Sequence, residues 1–114
     1  MARYTCRLTV AISPEDLQDS LVEILQACNF EIIYQTNEYL MAREVPGQIT
    51  FSQLATAEVL VDKSTPHENA ICFNLVVKNE ALPLQVNNHC QQMYELVQQT
   101  IYDHPRWQLL DLVQ

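Results

Sequence analysis

The chain has 114 residues, with 14 acidic side chains against six basic ones, and a single glycine, Gly47. The formal charge of -8 and the isolated positions of the basic residues argue against binding to a nucleic-acid backbone, which needs clustered cations. One glycine also excludes phosphate-binding loops, which need several glycines at fixed spacing. The length fits one globular domain, residues 1–114.

Cysteine spacing and hydropathy indicate the cellular setting that we expect. The longest apolar runs are far shorter than a membrane span, and the first residues alternate in polarity, unlike the core of a signal peptide. The four cysteines, Cys6, Cys28, Cys72 and Cys90, form no closely spaced pair that would bind zinc or act in redox chemistry. We therefore expect a cytoplasmic protein with reduced, mostly buried thiols and no membrane insertion.

The first elements are a strand and a helix. Residues Tyr4 to Ile12 alternate between apolar and polar, which is typical of a strand with one buried face. Ser13 then has the character of a helix N-cap, followed by proline and two acids in the first helical turn. Apolar residues continue at helical spacing to Cys28, and Asn29 is suited to end the helix in a left-handed conformation.

Two hairpins follow in the middle of the chain. The segments Phe30 to Gln35 and Tyr39 to Glu44 predict the first, and Glu58 to Lys63 with Ala70 to Lys78 predict the second. Between them, Gln48 to Leu54 fits neither periodicity and is either a short strand or an irregular crossing.

A second long helix and an apolar tail complete the predicted elements. The helix is indicated by a stripe at helical spacing that ends before Pro105, consisting of Val86, Cys90, Met93, Val97 and Ile101. The segment Trp107 to Val113 is too apolar for a solvated end, so we expect it to pack back as a final short strand or turn.

This element order predicts an α+β fold. Adjacent hairpins favour an antiparallel sheet of five or six strands, and two amphipathic helices would cover one of its faces in a two-layer sandwich. The order is similar to a single repeat of the TATA-binding-protein type of fold, and more distantly to ferredoxin-like and helix-grip domains. The resemblance is one of element order, and it brings no functional residues to this chain.

No residue pattern predicts catalysis, a metal site or a cofactor. His89 and Cys90 are adjacent, but successive side chains on a helix diverge by about 100°, so they would not face one substrate. We expect Cys90 to lie in the apolar stripe and His89 to sit near solvent. The sequence thus favours a protein that is not an enzyme.

Two surfaces are candidates for binding. The outer face of the second helix is rich in amides, which cost less to desolvate than ions: Asn88, Gln91, Gln92, Glu95, Gln98 and Gln99. The sheet face away from the helices combines polar and apolar side chains, among them Arg7, Asn74 and Lys78, and such a surface would suit a peptide, a small molecule or a sheet-to-sheet homodimer.

These observations favour a small protein-interaction module, an assembly or regulatory factor whose protein partner is not identified by the sequence. The alternative is a small-molecule binding protein or a modest enzyme, with a pocket between sheet and helices near Tyr34, Tyr39, Cys72 and Trp107. Single-stranded nucleic acid on the sheet is a third hypothesis. It is the weakest because a cationic groove is missing from the sequence pattern.

Overall fold

The computed structural model describes residues 2–47, 53–62, 70–80, 89–105 and 107–113. These residues form six strands and two helices. In chain order the elements are β1 (Ala2–Ala11), α1 (Pro14–Ala27), β2 (Phe30–Gln35), β3 (Tyr39–Glu44), β4 (Thr56–Asp62), β5 (Ala70–Asn79), α2 (His89–Tyr102) and β6 (Gln108–Val113).

All six strands belong to one antiparallel sheet, in the order β2-β3-β4-β5-β1-β6. The four strands from β2 to β5 form a meander, and β1 then pairs along its whole length with β5. The tail pairs with the other side of β1 as β6. The predicted α+β sandwich with an antiparallel sheet is confirmed, and the tail is a strand.

Local chemistry explains where α1 begins and ends. The Ser13 hydroxyl accepts a hydrogen bond from the backbone N–H of Asp16 at 3.4 Å, and this satisfies a donor that has no partner inside the helix. At the other end, Asn29 adopts a positive φ of 70°, which reverses the chain into β2. Both ends match the sequence prediction.

Alternation on the strands determines which side of the sheet forms the core. On β5, Phe73, Leu75 and Val77 are fully buried, and on β1 the residues Leu8 and Val10 face the same side. Both helices pack on that side with their apolar stripes. The sheet therefore has a covered face, against α1 and α2, and an opposite face over which no described helix lies.

Parts of two predicted segments lie outside the described residues. Residues 48–52 of the ambiguous segment Gln48 to Leu54 lie outside the described residues, and the remaining two, Gln53 and Leu54, are not in a strand. Val86 of the second apolar stripe also lies outside them. No helix of the described residues is long and apolar enough to cross a membrane.

Candidate functional site

The sheet surface opposite the helices is the main candidate site, and we call it the open face. Residues two apart on a strand share a face, and the registers between strands align them into cross-strand rows. Its residues are Glu31 and Tyr34 on β2, Tyr39, Met41 and Arg43 on β3, Thr56, Glu58, Leu60 and Asp62 on β4, Cys72, Asn74, Val76 and Lys78 on β5, Arg3, Thr5, Arg7 and Thr9 on β1, and Asp111 and Val113 on β6.

The strand order brings isolated basic residues together, which corrects an expectation from the sequence. Arg43 is opposite Thr56, Thr56 is opposite Lys78, and Lys78 is opposite Arg3, so three cations share one cross-strand row. Arg7 lies on the same face of β1. Every lysine and arginine within the described residues is therefore on the open face.

Acidic side chains on the same face balance these cations. Arg7 forms an ion pair with Asp62 at 2.7 Å, and Lys78 forms one with Glu58. Glu58 also accepts a hydrogen bond from the Tyr39 hydroxyl at 3.0 Å. Burial raises the pKa of Glu58, but the hydrogen bonds from Lys78 and Tyr39 outweigh it and hold the pKa below its usual value. The open face is thus mixed in charge rather than uniformly basic.

The open face also has exposed apolar side chains. Tyr34, Leu60 and Val113 are 57%, 41% and 55% exposed, and the rings of Tyr34 and Tyr39 lie 6.0 Å apart. A partner that covered them would gain hydrophobic free energy in proportion to the apolar area removed from water.

The sheet-face residues singled out from the sequence all lie on the open face. Asn74 is opposite Leu60 on one side and Arg7 on the other, and Lys78 is two residues along β5 from Val76. Cys72 and Val76 are buried on this face, at 6% exposure each, although no described helix covers them. Glu58, which is paired with Lys78, lies directly opposite Val76.

On the outer face of α2, four of the predicted side chains are exposed and one is only partly exposed. Gln91, Gln92, Glu95 and Gln99 are exposed, and two of the amides donate hydrogen bonds four residues ahead: Gln91 to Glu95 at 3.4 Å, and Gln99 to Asp103 at 3.1 Å. Gln98 differs because it is only partly exposed and its Nε2 is buried, with no hydrogen-bond partner among the described residues. Asn88 lies outside the described residues.

The four residues of the hypothetical pocket do not come together. Trp107 packs in the core on the covered face, where its ring lies 6.2 Å from Phe73 and its Nε1 donates to the Ile101 carbonyl at 2.9 Å. Cys72 precedes Phe73 on β5 and therefore points to the open face, as Tyr34 and Tyr39 do. No pocket between sheet and helices can include all four.

A buried polar pair on the covered face was not predicted from the sequence. Both carboxylate oxygens of Glu44 lie within hydrogen-bond distance of His89 Nε2, at 2.7 and 2.9 Å, and one of them also accepts from the Ala55 backbone N–H at 3.0 Å. The Glu44 side chain is 6% exposed and that of His89 is 16% exposed. Instead of lying near solvent as expected, His89 joins the start of α2 to the end of β3.

The thiol beside this pair is not activated. Cys90 is fully buried and its Sγ lies 3.4 Å from the Val77 carbonyl oxygen, to which it donates. Burial, and to a smaller extent the negative charge of Glu44, raise the pKa of the Cys90 thiol to about 11. The thiol is therefore protonated at neutral pH and is a poor nucleophile. Glu44 and His89 then connect two elements, with no activated nucleophile next to them.

A search of the described residues for three or more His, Cys, Asp or Glu side chains that could hold a metal ion finds no such group. All four cysteines are buried, and none of them forms a disulfide. No protein-family model matches this chain, and no curated protein matches it either.

Proposed function

We propose that this protein is a small, non-catalytic protein-interaction module that docks through its open face, in the role of an assembly or regulatory factor. The observation that carries the proposal is the concentration on this one surface of every described lysine and arginine together with exposed Tyr34, Leu60 and Val113. Surfaces that combine exposed aromatic and aliphatic side chains with arginine are typical of protein interfaces.

The charge balance of the open face favours a protein partner over nucleic acid. Arg7 and Lys78 are already paired with Asp62 and Glu58, so fewer cations remain for phosphate groups. A nucleic-acid partner would also have to approach a chain with a formal charge of -8. The proposal includes a cytoplasmic location without membrane insertion, which is supported by four buried cysteines that form no disulfide.

The outer face of α2 is a secondary docking surface in this proposal. Gln92 is exposed, and the hydrogen bonds of Gln91 and Gln99 run along the helix to its own acidic residues. The described residues of α2 include two large exposed apolar side chains, Leu96 and Tyr102, against three on the open face, so α2 offers less hydrophobic free energy on docking. It would extend an interface rather than form one alone.

The alternative of a small-molecule site has less support. Cys72 and Trp107 lie on opposite sides of the sheet, and the raised pKa of Cys90 removes the most obvious nucleophile near Glu44 and His89. A ligand would need a concave site with a few convergent polar groups, and the sequence-predicted pocket residues do not form one.

Affinity capture from the expressing cells tests which surface docks. Tagged protein would be compared with an open-face variant, Tyr34→Ser plus Leu60→Asp, and with a helix variant, Gln92→Arg plus Gln99→Arg. Untagged chain would be co-expressed so that self-capture is also detected. All four positions are exposed, so the folding transition followed by circular dichroism should move little.

We expect the open-face variant to lose a specifically captured protein that the helix variant retains. If only the helix variant lost the captured protein, the docking surface would be the outer face of α2 instead. Unchanged capture by both variants, or nucleic-acid binding that weakens steeply with salt, would contradict the proposal.

A further inference from the structure

We infer that the occupant of the open face is a second copy of this chain, packed sheet on sheet about a two-fold axis that runs perpendicular to the strands. The inference rests on the proposed function, because it names the partner of the surface proposed there. Its basis is the way that charge is distributed along the strands of the open face.

The open face has a basic end and an acidic end. At the basic end, Arg43, Lys78 and Arg3 share one cross-strand row, and Glu31 on the edge strand β2 lies opposite Arg43 as its one acid. At the acidic end, another row runs from Asp62 through Cys72 and Thr9 to Asp111. Thr9 is six positions after Arg3 on β1, a distance of about 20 Å at the rise of an extended strand.

Two-fold symmetry makes this arrangement self-complementary in one orientation only. An axis parallel to the strands would place the basic row of one copy on the basic row of the other. An axis in the sheet plane but perpendicular to the strands reverses their direction and places the basic row on the acidic row. The second arrangement is favoured because like charges brought together without partners are costly to bury.

The favoured axis identifies which charges would meet. Each strand keeps its lateral position, so Asp62 on β4 approaches the gap between Arg43 on β3 and Lys78 on β5 of the second copy. Asp62 is also paired with Arg7, and Lys78 with Glu58, within each copy, so this contact adds to existing ion pairs. Asp111 on β6 likewise approaches Arg3 on the neighbouring β1. Sheets pack about 10 Å apart and within about 30° of parallel, a spacing that long arginine side chains can bridge.

The charges on the other described surfaces also favour the open face as the contact for a second copy. Apart from Glu31, which lies opposite Arg43 on β2, the other described acids lie on the helices, in the turns or in the core: Glu15, Asp16, Asp19, Glu23, Glu38, Glu44, Glu80, Glu95 and Asp103. The described lysines and arginines are all on the open face, so that is where a second acidic copy meets the described positive charge. A head-to-tail contact would place the acidic row against the acidic α1 and would leave a further open face free to extend a chain.

The size of the face is sufficient for a modest dimer. Six strands spaced about 4.8 Å apart, with the basic and acidic rows about 20 Å apart, give a face of about 24 Å by 20 Å. Two copies would bury about 1,000 Å² in total, which is the size of a weak, transient interface. We therefore expect micromolar rather than nanomolar dissociation.

Sedimentation equilibrium with a charge swap tests the inference. The wild-type chain, 13.2 kDa as a monomer, should approach twice that mass at high micromolar concentration. Arg3→Glu and Asp111→Lys should each weaken the dimer about tenfold or more, because each places like charges together. The double variant should return to within about threefold of wild type, since Glu at position 3 then meets Lys at position 111 of the other copy.

Asp19→Lys on α1 is the matched control for Asp111→Lys. Both positions are exposed and both changes reduce the net negative charge equally, which by itself would favour association. Weakening by Asp111→Lys alone therefore reports a local contact. Rescue in the double variant cannot come from pairing within one copy, because Arg3 and Asp111 are about 20 Å apart.

The outcomes separate this inference from the proposed function. A chain that stays monomeric at about 1 mM, or a dimer unaffected by either single variant, would overturn the inference. Species larger than a dimer would favour the head-to-tail contact, and a double variant without rescue would rule out the proposed axis. In each of these cases, capture of a different protein that depends on Tyr34 and Leu60 would leave the proposed function standing. If that capture were lost as well, both the inference and the proposed function would be wrong.

Discussion

The two faces of the sheet are built from the same strands and differ in almost every other respect. On β5, Phe73, Leu75 and Val77 are fully buried against the helices, while the alternate residues Asn74, Val76 and Lys78 belong to the open face. The covered face contains no lysine or arginine among the described residues, whereas the open face carries all of those described. Alternation along each strand therefore separates the residues that stabilise the fold from those available for recognition.

The largest expected effect compares one substitution on each face. Phe73 is fully buried next to Trp107, so Phe73→Ala should lower the free energy of unfolding by about 3 to 5 kcal/mol. Leu60 on the open face is 41% exposed, and Leu60→Ala should cost less than about 1 kcal/mol. Urea unfolding at protein concentrations well below those that favour association would measure both values.

This comparison would fail if Leu60→Ala destabilised the dilute protein as much as Phe73→Ala. Such a result would mean that the open face contributes to the core of a single copy. Its residues would then be unavailable to a partner, and the distinction between the two faces would be lost.

The next prediction concerns Glu44, the acid on the covered face. Glu44→Ala removes the acceptor for both His89 and the Ala55 N–H, and leaves these buried donors without their partner. We expect a loss of about 2 kcal/mol in unfolding free energy. Glu31→Ala is the matched control, because Glu31 is an exposed acid on the neighbouring β2 and should cost less than about 0.5 kcal/mol.

Equal effects of the two variants would contradict a structural role for the Glu44–His89 pair. A double-mutant cycle with His89→Ala sharpens the test, because it isolates the coupling between the two side chains. A coupling energy near zero would mean that His89 can leave Glu44 without cost.

Most of the fold was predictable because its signals are local. The bounds of β2 and β3 agree with those predicted from the aromatic and β-branched segments on either side of a polar turn. The start of α1 followed from the capping chemistry of Ser13, and its end from the left-handed conformation of Asn29. Each signal involves residues within a few positions of one another.

The parts of the site that were missed depend on strand order and register. Arg43, Lys78 and Arg3 are far apart in the sequence, and nothing in their local surroundings indicates that β3, β5 and β1 place them in one row. One signal was available for the Glu44–His89 pair. Glu44 shares the inward parity of Leu40 and Ala42 on β3, and a buried acid requires a partner.

The smallest expected effect is the response of the open face to acid. The pKa of Glu58 is raised by burial but lowered further by hydrogen bonds from Lys78 and Tyr39, so it lies below its usual value in the folded protein. A lowered carboxyl pKa stabilises the folded state above the unfolded-state value, about 4.3 for glutamate, and this stabilisation is lost as the pH falls through the folded value. Because the Lys78 side chain is 36% exposed, we expect the contribution to be well under about 1 kcal/mol.

Unfolding free energies of the wild type and Glu58→Gln, measured from pH 7 down to pH 3, would reveal this contribution. The wild type should be the more stable at pH 7, and its advantage should shrink through the acidic range. Lys78→Met should reduce the same acid dependence, since it removes a hydrogen bond that lowers the pKa of Glu58. A constant difference between the wild type and Glu58→Gln at every pH would mean that Glu58 gains nothing from its partners. The ion pair with Lys78 would then be free to rearrange when another surface meets the open face.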